Sequence, residues 1–286
     1  MNPHKSDAIW KVATLLMIFL AYNVLAGIIS MGYALVSNLL KGQRLNIGAD
    51  KIDSLMNPLD PTALSVGMIV AAVLTLAFLW QVRLVPRQYV KPVPEGRLKG
   101  WPLAIVAFIL FALGVNQLCA PFDLSDGGTE PLFLQMSGSV WGIVTMVVVA
   151  PLIEEVVFRA GILQRLISGG FRPAVALVVS AALFGIAHLN LAQSIPAFLL
   201  GIVLGLLYLK TGDLRLCLPA HILNNAIAVT TLILLGPEAE LFSLPLWGDI
   251  LMGTGMLLAA AALLAYWWNR SKAPLPTPDA PTQSND

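Results

Sequence analysis

The feature that most limits the folds open to this chain is a series of long segments that contain no Asp, Glu, Lys or Arg. Each has at least about 18 residues, the length that lets a helix cross the hydrocarbon core of a bilayer. Only 12% of the 286 residues are charged and 57% are hydrophobic, whereas about 25% of the residues in a soluble domain are charged. The pattern predicts an all-α polytopic membrane helix bundle.

The uncharged segments predict about eight transmembrane helices. One run of 37 residues, between Arg172 and Lys210, is long enough for two helices joined by a turn in the polar residues 188–196. The other segments predict one helix each, and the fourth is expected to continue through a pair of glutamates. They are Val12–Leu40, Thr62–Val82, Gly100–Phe122, Pro131–Ile153, Leu216–Pro237 and Ile250–Asn269.

An even number of spans places both termini on one side of the membrane. With the N-terminus in the cytoplasm, all of the 17 Lys and Arg except Lys41, Arg44 and Lys51 fall in cytoplasmic segments. Because cytoplasmic loops carry an excess of basic residues, we predict that the N and C termini are cytoplasmic. In a bacterial host the location would be the inner membrane. No basic patch interleaved with aromatics suggests nucleic acid, and we expect no nucleotide cofactor.

Two adjacent carboxylates, Glu154 and Glu155, continue one of these apolar segments and are followed by Arg159. Ionisable side chains at membrane depth are costly, by roughly 2.5–3.5 kcal/mol each on insertion scales. Glu155 and Arg159 are four residues apart in the order that favours an ion pair on a helix. Glu154 points about 100° away and has no local partner, so it is the candidate general base. The alternative is a helix end wetted by lipid headgroups.

Three further polar side chains lie within apolar segments and have the spacing of helix neighbours. His188 follows Phe184 by four residues, and Asn225 follows His221 by four. A neutral histidine can bind a metal or orient a water, and an asparagine can stabilise an oxyanion. Such residues can also serve only as hydrogen bonds between membrane helices. One free carboxylate, two histidines and an asparagine together favour hydrolysis of an amide.

Depth below the cytoplasmic surface gives conflicting expectations for these residues. If Arg165, Arg172 and Arg215 mark that surface, a rise of 1.5 Å per residue places Glu154 about 17 Å deep. The same estimate gives about 9 Å for His221, 15 Å for Asn225 and 24 Å for His188. Upright helices would therefore not bring all four residues to one site.

These motifs, taken in order, resemble the CPBP family of intramembrane proteases, also called the CAAX-protease and bacteriocin-processing or Abi family. The resemblance rests on Glu154-Glu155-x-x-Phe158-Arg159, on Phe184-x-x-x-His188 and on His221-x-x-x-Asn225. It covers about residues 140–230, with a small-residue helix at 198–205 and a turn at 211–214.

The resemblance implies a role for each matching residue. Glu154 would activate a water, and His188 and His221 would position that water or bind a metal together with Glu154. Asn225 would hold the oxyanion, while Glu155 and Arg159 would support the site beside Phe158 and Phe184. Two His and one Glu would suit Zn²⁺, although a metal-free glutamate mechanism is also described for the family. The expected substrate is a membrane-associated peptide or a protein's terminal segment.

The same interpretation predicts four parts along the chain, and two other functions remain as alternatives. Residues 1–139 would form N-terminal membrane helices, 140–230 the catalytic core, 231–272 the last membrane helix and 273–286 a disordered tail. One alternative is a non-proteolytic scaffold or immunity factor on the same fold. A less favoured one is a transporter with a relay through Glu154 and His188, against which the lack of an internal repeat counts.

Overall fold

The computed structural model describes residues 3–40, 61–85, 100–122, 124–236, 242 and 244–271. These residues contain helices and no β-strand. The expected disordered tail at 273–286 and most of the basic loop at 83–99 lie outside the described residues. The helices are α1 (Pro3–Leu40), α2 (Pro61–Gln81), α3 (Trp101–Cys119), α4 (Glu130–Ser137), α5 (Val140–Ser168), α6 (Pro173–Ile186), α7 (Leu191–Thr211), α8 (Leu214–Leu235) and α9 (Leu246–Arg270).

Seven of these helices are long and apolar enough to cross a membrane, which confirms the polytopic helical bundle. The one expected span outside this set is α6, which is apolar but has only 14 residues, or about 21 Å of helix. The fourth span begins at Val140 rather than at Pro131, because a turn at residues 138–139 interrupts the helix between α4 and α5. The turn between α6 and α7 occupies residues 187–190, and α7 already includes residues 191–196.

Helix α5 is the central element of the bundle. Every residue from Val156 to Leu163 is buried, and α5 packs against α1, α2, α6 and α8. Helix α3 packs mainly against α9, where the Gln117 amide donates a hydrogen bond of 2.5 Å to Asp249. This arrangement places the charged residues of α5 in the interior, where other helices can supply partners.

Helices α6 and α7 form a closely packed hairpin beside α5. Gly201 of α7 allows this approach, because a Cβ there would lie 3.1 Å from Cδ1 of Phe184 and 3.3 Å from Ala181. Asn190 caps the start of α7 by accepting a hydrogen bond from the Gln193 N–H. Asp213 caps α8 in the same way through the Arg215 N–H. The two caps fix where α7 and α8 begin and so set the height of the residues that follow.

Candidate active site

Helix α5 is wider than an α-helix on both sides of the glutamate pair. Residues Thr145–Val149 and Val156–Leu163 form π-helical turns, in which each N–H bonds to the carbonyl five residues back. The Ala150 N–H donates to the Thr145 carbonyl in this way. The next carbonyl, that of Met146, would receive its bond from residue 151. Because residue 151 is proline and has no N–H, that carbonyl needs another donor.

Asn225 of α8 supplies the donor that Pro151 cannot. Its Nδ2 donates to the Met146 carbonyl at 3.0 Å, and its Oδ1 accepts from the amide of Asn224 at 3.2 Å. Asn225 thereby ties α8 to the π-helical turn just before the glutamates. The proline is visible in the sequence, but its consequence depends on a turn geometry that the sequence does not reveal.

Glu155 is the buried member of the glutamate pair. Its Oε1 lies 3.0 Å from Nη1 of Arg159 and 2.8 Å from Nδ1 of His221, and its side chain is 0% exposed. The contact with Arg159 is an ion pair whose angle falls outside hydrogen-bond geometry. Arginine carries only donors, so this carboxylate acts as an acceptor. A neutral His221 therefore donates from Nδ1 and keeps the lone pair on Nε2.

Glu154 faces the other nitrogen of the same imidazole. Its Oε2 lies 3.6 Å from Nε2 of His221, which is too long for a direct hydrogen bond. Its side chain is 17% exposed, so water can reach it. Thus His221 lies between the two adjacent glutamates, held by the buried one and facing the accessible one.

The ring of Phe184 links the second histidine to this group. Its centroid is 5.0 Å from the ring of His188 and 5.8 Å from the ring of His221, with edge-to-face angles near 90°. The guanidinium of Arg159 lies 4.4 Å over the Phe184 ring, a cation–π contact. Phe158 packs edge-on against Phe184 at 5.2 Å. Nδ1 of His188 bonds to the Phe184 carbonyl at 2.9 Å, which leaves its Nε2 as an acceptor.

The structure therefore brings together all eight residues singled out in the sequence, but not in equal measure. Glu154, Glu155 and His221 form the centre, with Arg159 bound to Glu155. His188 shares with His221 a contact to the Phe184 ring, and Asn225 is engaged with the Met146 carbonyl. Glu154 and His221, which upright helices would place about 8 Å apart in depth, meet through their side chains, with Oε2 and Nε2 3.6 Å apart.

Two further side chains support the site and were not predicted. The hydroxyl of Ser180, on α6, donates to the Phe158 carbonyl at 2.8 Å, which fastens α6 to the second π-helical turn. Cys217 lies one turn before His221 on α8, is fully buried, and its thiol donates to the Leu214 carbonyl at 3.7 Å. The spacing Cys217-x-x-x-His221 could have indicated a shared helix face, whereas Ser180 carries no such signal.

The predicted zinc ligands do not form a metal-binding group in this arrangement. Across the described ranges, no three His, Cys, Asp or Glu side chains come together in a group that could hold a metal ion. His221 is engaged by Glu155 through Nδ1. The zinc assignment therefore stays a prediction.

Residues 136–227 match the family model described as type II CAAX prenyl endopeptidase Rce1-like. The matched segment covers about a third of the chain and includes the site from Glu154 to Asn225. Comparison with curated proteins gave no match, and neither did comparison with solved structures. With its seven candidate spans, the protein is an integral multi-pass membrane protein, and its segment 136–227 is similar to a membrane protease family.

Proposed function

We propose that the protein is an intramembrane endopeptidase that hydrolyses a peptide bond in a membrane-associated peptide or in a protein's terminal segment. The observation that carries the proposal is the position of His221 between two adjacent glutamates, at 2.8 Å from Glu155 and 3.6 Å from Glu154. An ion pair alone would require neither the second glutamate nor the histidine. The Rce1-like match at residues 136–227 supports a protease in general terms.

The geometry supplies the parts needed to activate a water. The Oε2 of Glu154 and the Nε2 of His221 are both acceptors, and they are close enough to contact one water molecule. A water that donates to both directs its lone pairs away from them and toward a substrate carbonyl. Glu154 then takes one proton as the water oxygen bonds to the carbonyl carbon, and it returns that proton to the amide nitrogen as the C–N bond breaks.

Glu155 and Arg159 act in this proposal by holding His221 in one tautomer. The Glu155 carboxylate accepts from Nδ1 and so keeps Nε2 as the acceptor that faces Glu154. Asn225 uses one amide hydrogen on the Met146 carbonyl and has a second one, which we assign to the oxyanion of the tetrahedral intermediate. The type II CAAX prenyl endopeptidase description of the family makes a prenylated terminal segment one candidate substrate.

The proposal is tested with purified protein in lipid nanodiscs and a panel of fluorogenic peptides, prenylated and unprenylated in matched sequence. We expect Glu154→Gln and His221→Ala each to lower kcat by about 10²–10⁴, the range of general acid–base catalysis, without loss of folded protein. Glu130→Gln and His4→Ala, which alter exposed residues of the same types, are matched controls and should keep full activity. Wild-type rates in both site variants would refute the mechanism and would favour a non-proteolytic function.

A further inference from the structure

Helix α1 lies antiparallel to α5, and two contacts set the register of the pair. Gly161 of α5 lies against Leu15 of α1, where a Cβ on the glycine would be 3.1 Å from the leucine Cδ1. One turn further, the ring of Phe19 packs edge-on against that of Phe158 at 5.2 Å. A step of four residues forward on α1 thus corresponds to three residues backward on α5. The next turn of each helix brings Tyr22 level with Glu154.

The contacts of Tyr22 agree with this register. Its ring lies 6.0 Å from that of Phe19, and the residue is 3% exposed. Its hydroxyl oxygen is fully buried and has no hydrogen-bond partner among the residues that the structure describes. The Glu154 side chain makes no hydrogen bond within the described part of the chain, and its carboxylate lies 3.6 Å from Nε2 of His221.

A buried hydroxyl without a protein partner destabilises the folded state, because no hydrogen bond offsets the free energy of its desolvation. Phenylalanine would keep the packing against Phe19 without that cost. The hydroxyl is a donor, and the carboxylate opposite it is an acceptor with free lone pairs. Hydrogen bonds of catalytic groups are often long in the free enzyme and shorten in the substrate complex. A buried donor without a partner, level with a carboxylate that has free lone pairs, is therefore better explained by function than by packing.

We propose that Tyr22 is a positioning residue for Glu154, an inference that rests on the proposed function. In the working enzyme its hydroxyl donates a hydrogen bond to the Glu154 carboxylate on the side opposite His221. The carboxylate is then held between two helices, with α1 on one side and α8 on the other. Tyr22 lies outside the matched segment at residues 136–227, so the N-terminal helix would contribute to the site.

The test is Tyr22→Phe, with Tyr33→Phe as a matched control because Tyr33 lies on the same helix and is 40% exposed. We expect Tyr22→Phe to lower kcat about tenfold, the effect of losing one charge-assisted hydrogen bond, with KM unchanged. The thermal unfolding midpoint should stay the same or rise, because an unpaired buried hydroxyl is removed. Tyr33→Phe should change neither quantity. A merely structural tyrosine would instead lose activity in proportion to folded protein.

A wild-type kcat in Tyr22→Phe would overturn the proposal, and so would a loss of activity matched by a loss of folded protein. Glu154→Gln is measured in parallel. If that variant is fully active, the proposed function fails; if it is inactive while Tyr22→Phe is not impaired, only the positioning role fails.

Discussion

The buried ion pair between Glu155 and Arg159 allows stability and catalysis to be separated. Glu155→Gln removes the negative charge but keeps an amide of similar size, so Arg159 becomes an unpaired cation whose side chain is 2% exposed. Breaking a buried pair from one side costs about 3–5 kcal/mol. At roughly 2–4 °C per kcal/mol, we expect the unfolding midpoint to fall by about 6–20 °C.

The chain contains a matched control for burial. Asp7 and Lys11 also form an ion pair four residues apart, at 2.6 Å, but their side chains are 60% and 37% exposed. Solvent screening limits such a pair to about 0–1 kcal/mol, so Asp7→Asn should lower the midpoint by no more than about 4 °C. Both variants are measured by scanning fluorimetry in the same nanodiscs. If Glu155→Gln is no more destabilising than Asp7→Asn, the assignment of a buried pair is wrong.

A double variant then isolates the catalytic role of Glu155. In Glu155→Gln with Arg159→Met, both partners lose their charge, and replacing a whole buried pair by neutral or apolar groups is often close to neutral in stability. We therefore expect the midpoint to recover most of its loss. Activity should stay low, because no carboxylate holds His221 through Nδ1 in the tautomer that faces Glu154. Recovery of activity together with stability would show that Glu155 acts only in folding.

Two further predictions concern the π-helical turn and the metal. Asn225→Ala should destabilise the protein by about 1–3 kcal/mol, since the Met146 carbonyl loses its donor. Adding Pro151→Ala should offset part of that loss by supplying a backbone N–H; equal midpoints with and without it would argue against this account. Because the proposed route uses Glu154, His221 and Asn225 without a metal ion, we expect chelator-treated protein to keep its kcat. A loss of activity that Zn²⁺ alone restores would contradict that route and support the zinc assignment.

The parts of the site that depend on local spacing could be predicted from the sequence. Glu155 and Arg159 are neighbours on one helix, and their ion pair follows from a separation of four residues. The same holds for Phe184 and His188, whose rings meet at 5.0 Å. In each case one helix fixes both partners, so the distance depends little on how the bundle packs.

The contacts between helices could not be predicted in this way. Upright helices placed Glu154 and His221 at different depths, whereas the packing of α5 and α8 brings them within 3.6 Å. Asn225 was expected to serve the oxyanion, and its first partner is the Met146 carbonyl that Pro151 leaves without a donor. Depth and rotation of a membrane helix are set by its neighbours, and the pattern of apolar residues does not specify them.

The sequence by itself determined that this is a helical membrane protein. It also determined which side chains within the apolar segments are costly in a membrane and therefore indicate a functional site. The cost of charge in lipid applies to each residue whatever the arrangement of the helices. Only the tertiary structure decided which glutamate holds His221 and which one faces water. It also set the register of the first helix against α5, through Phe19 on Phe158 and Leu15 on Gly161, which places Tyr22 level with Glu154. These assignments depend on distances of a few ångströms between helices, and such distances exist only after the bundle has packed.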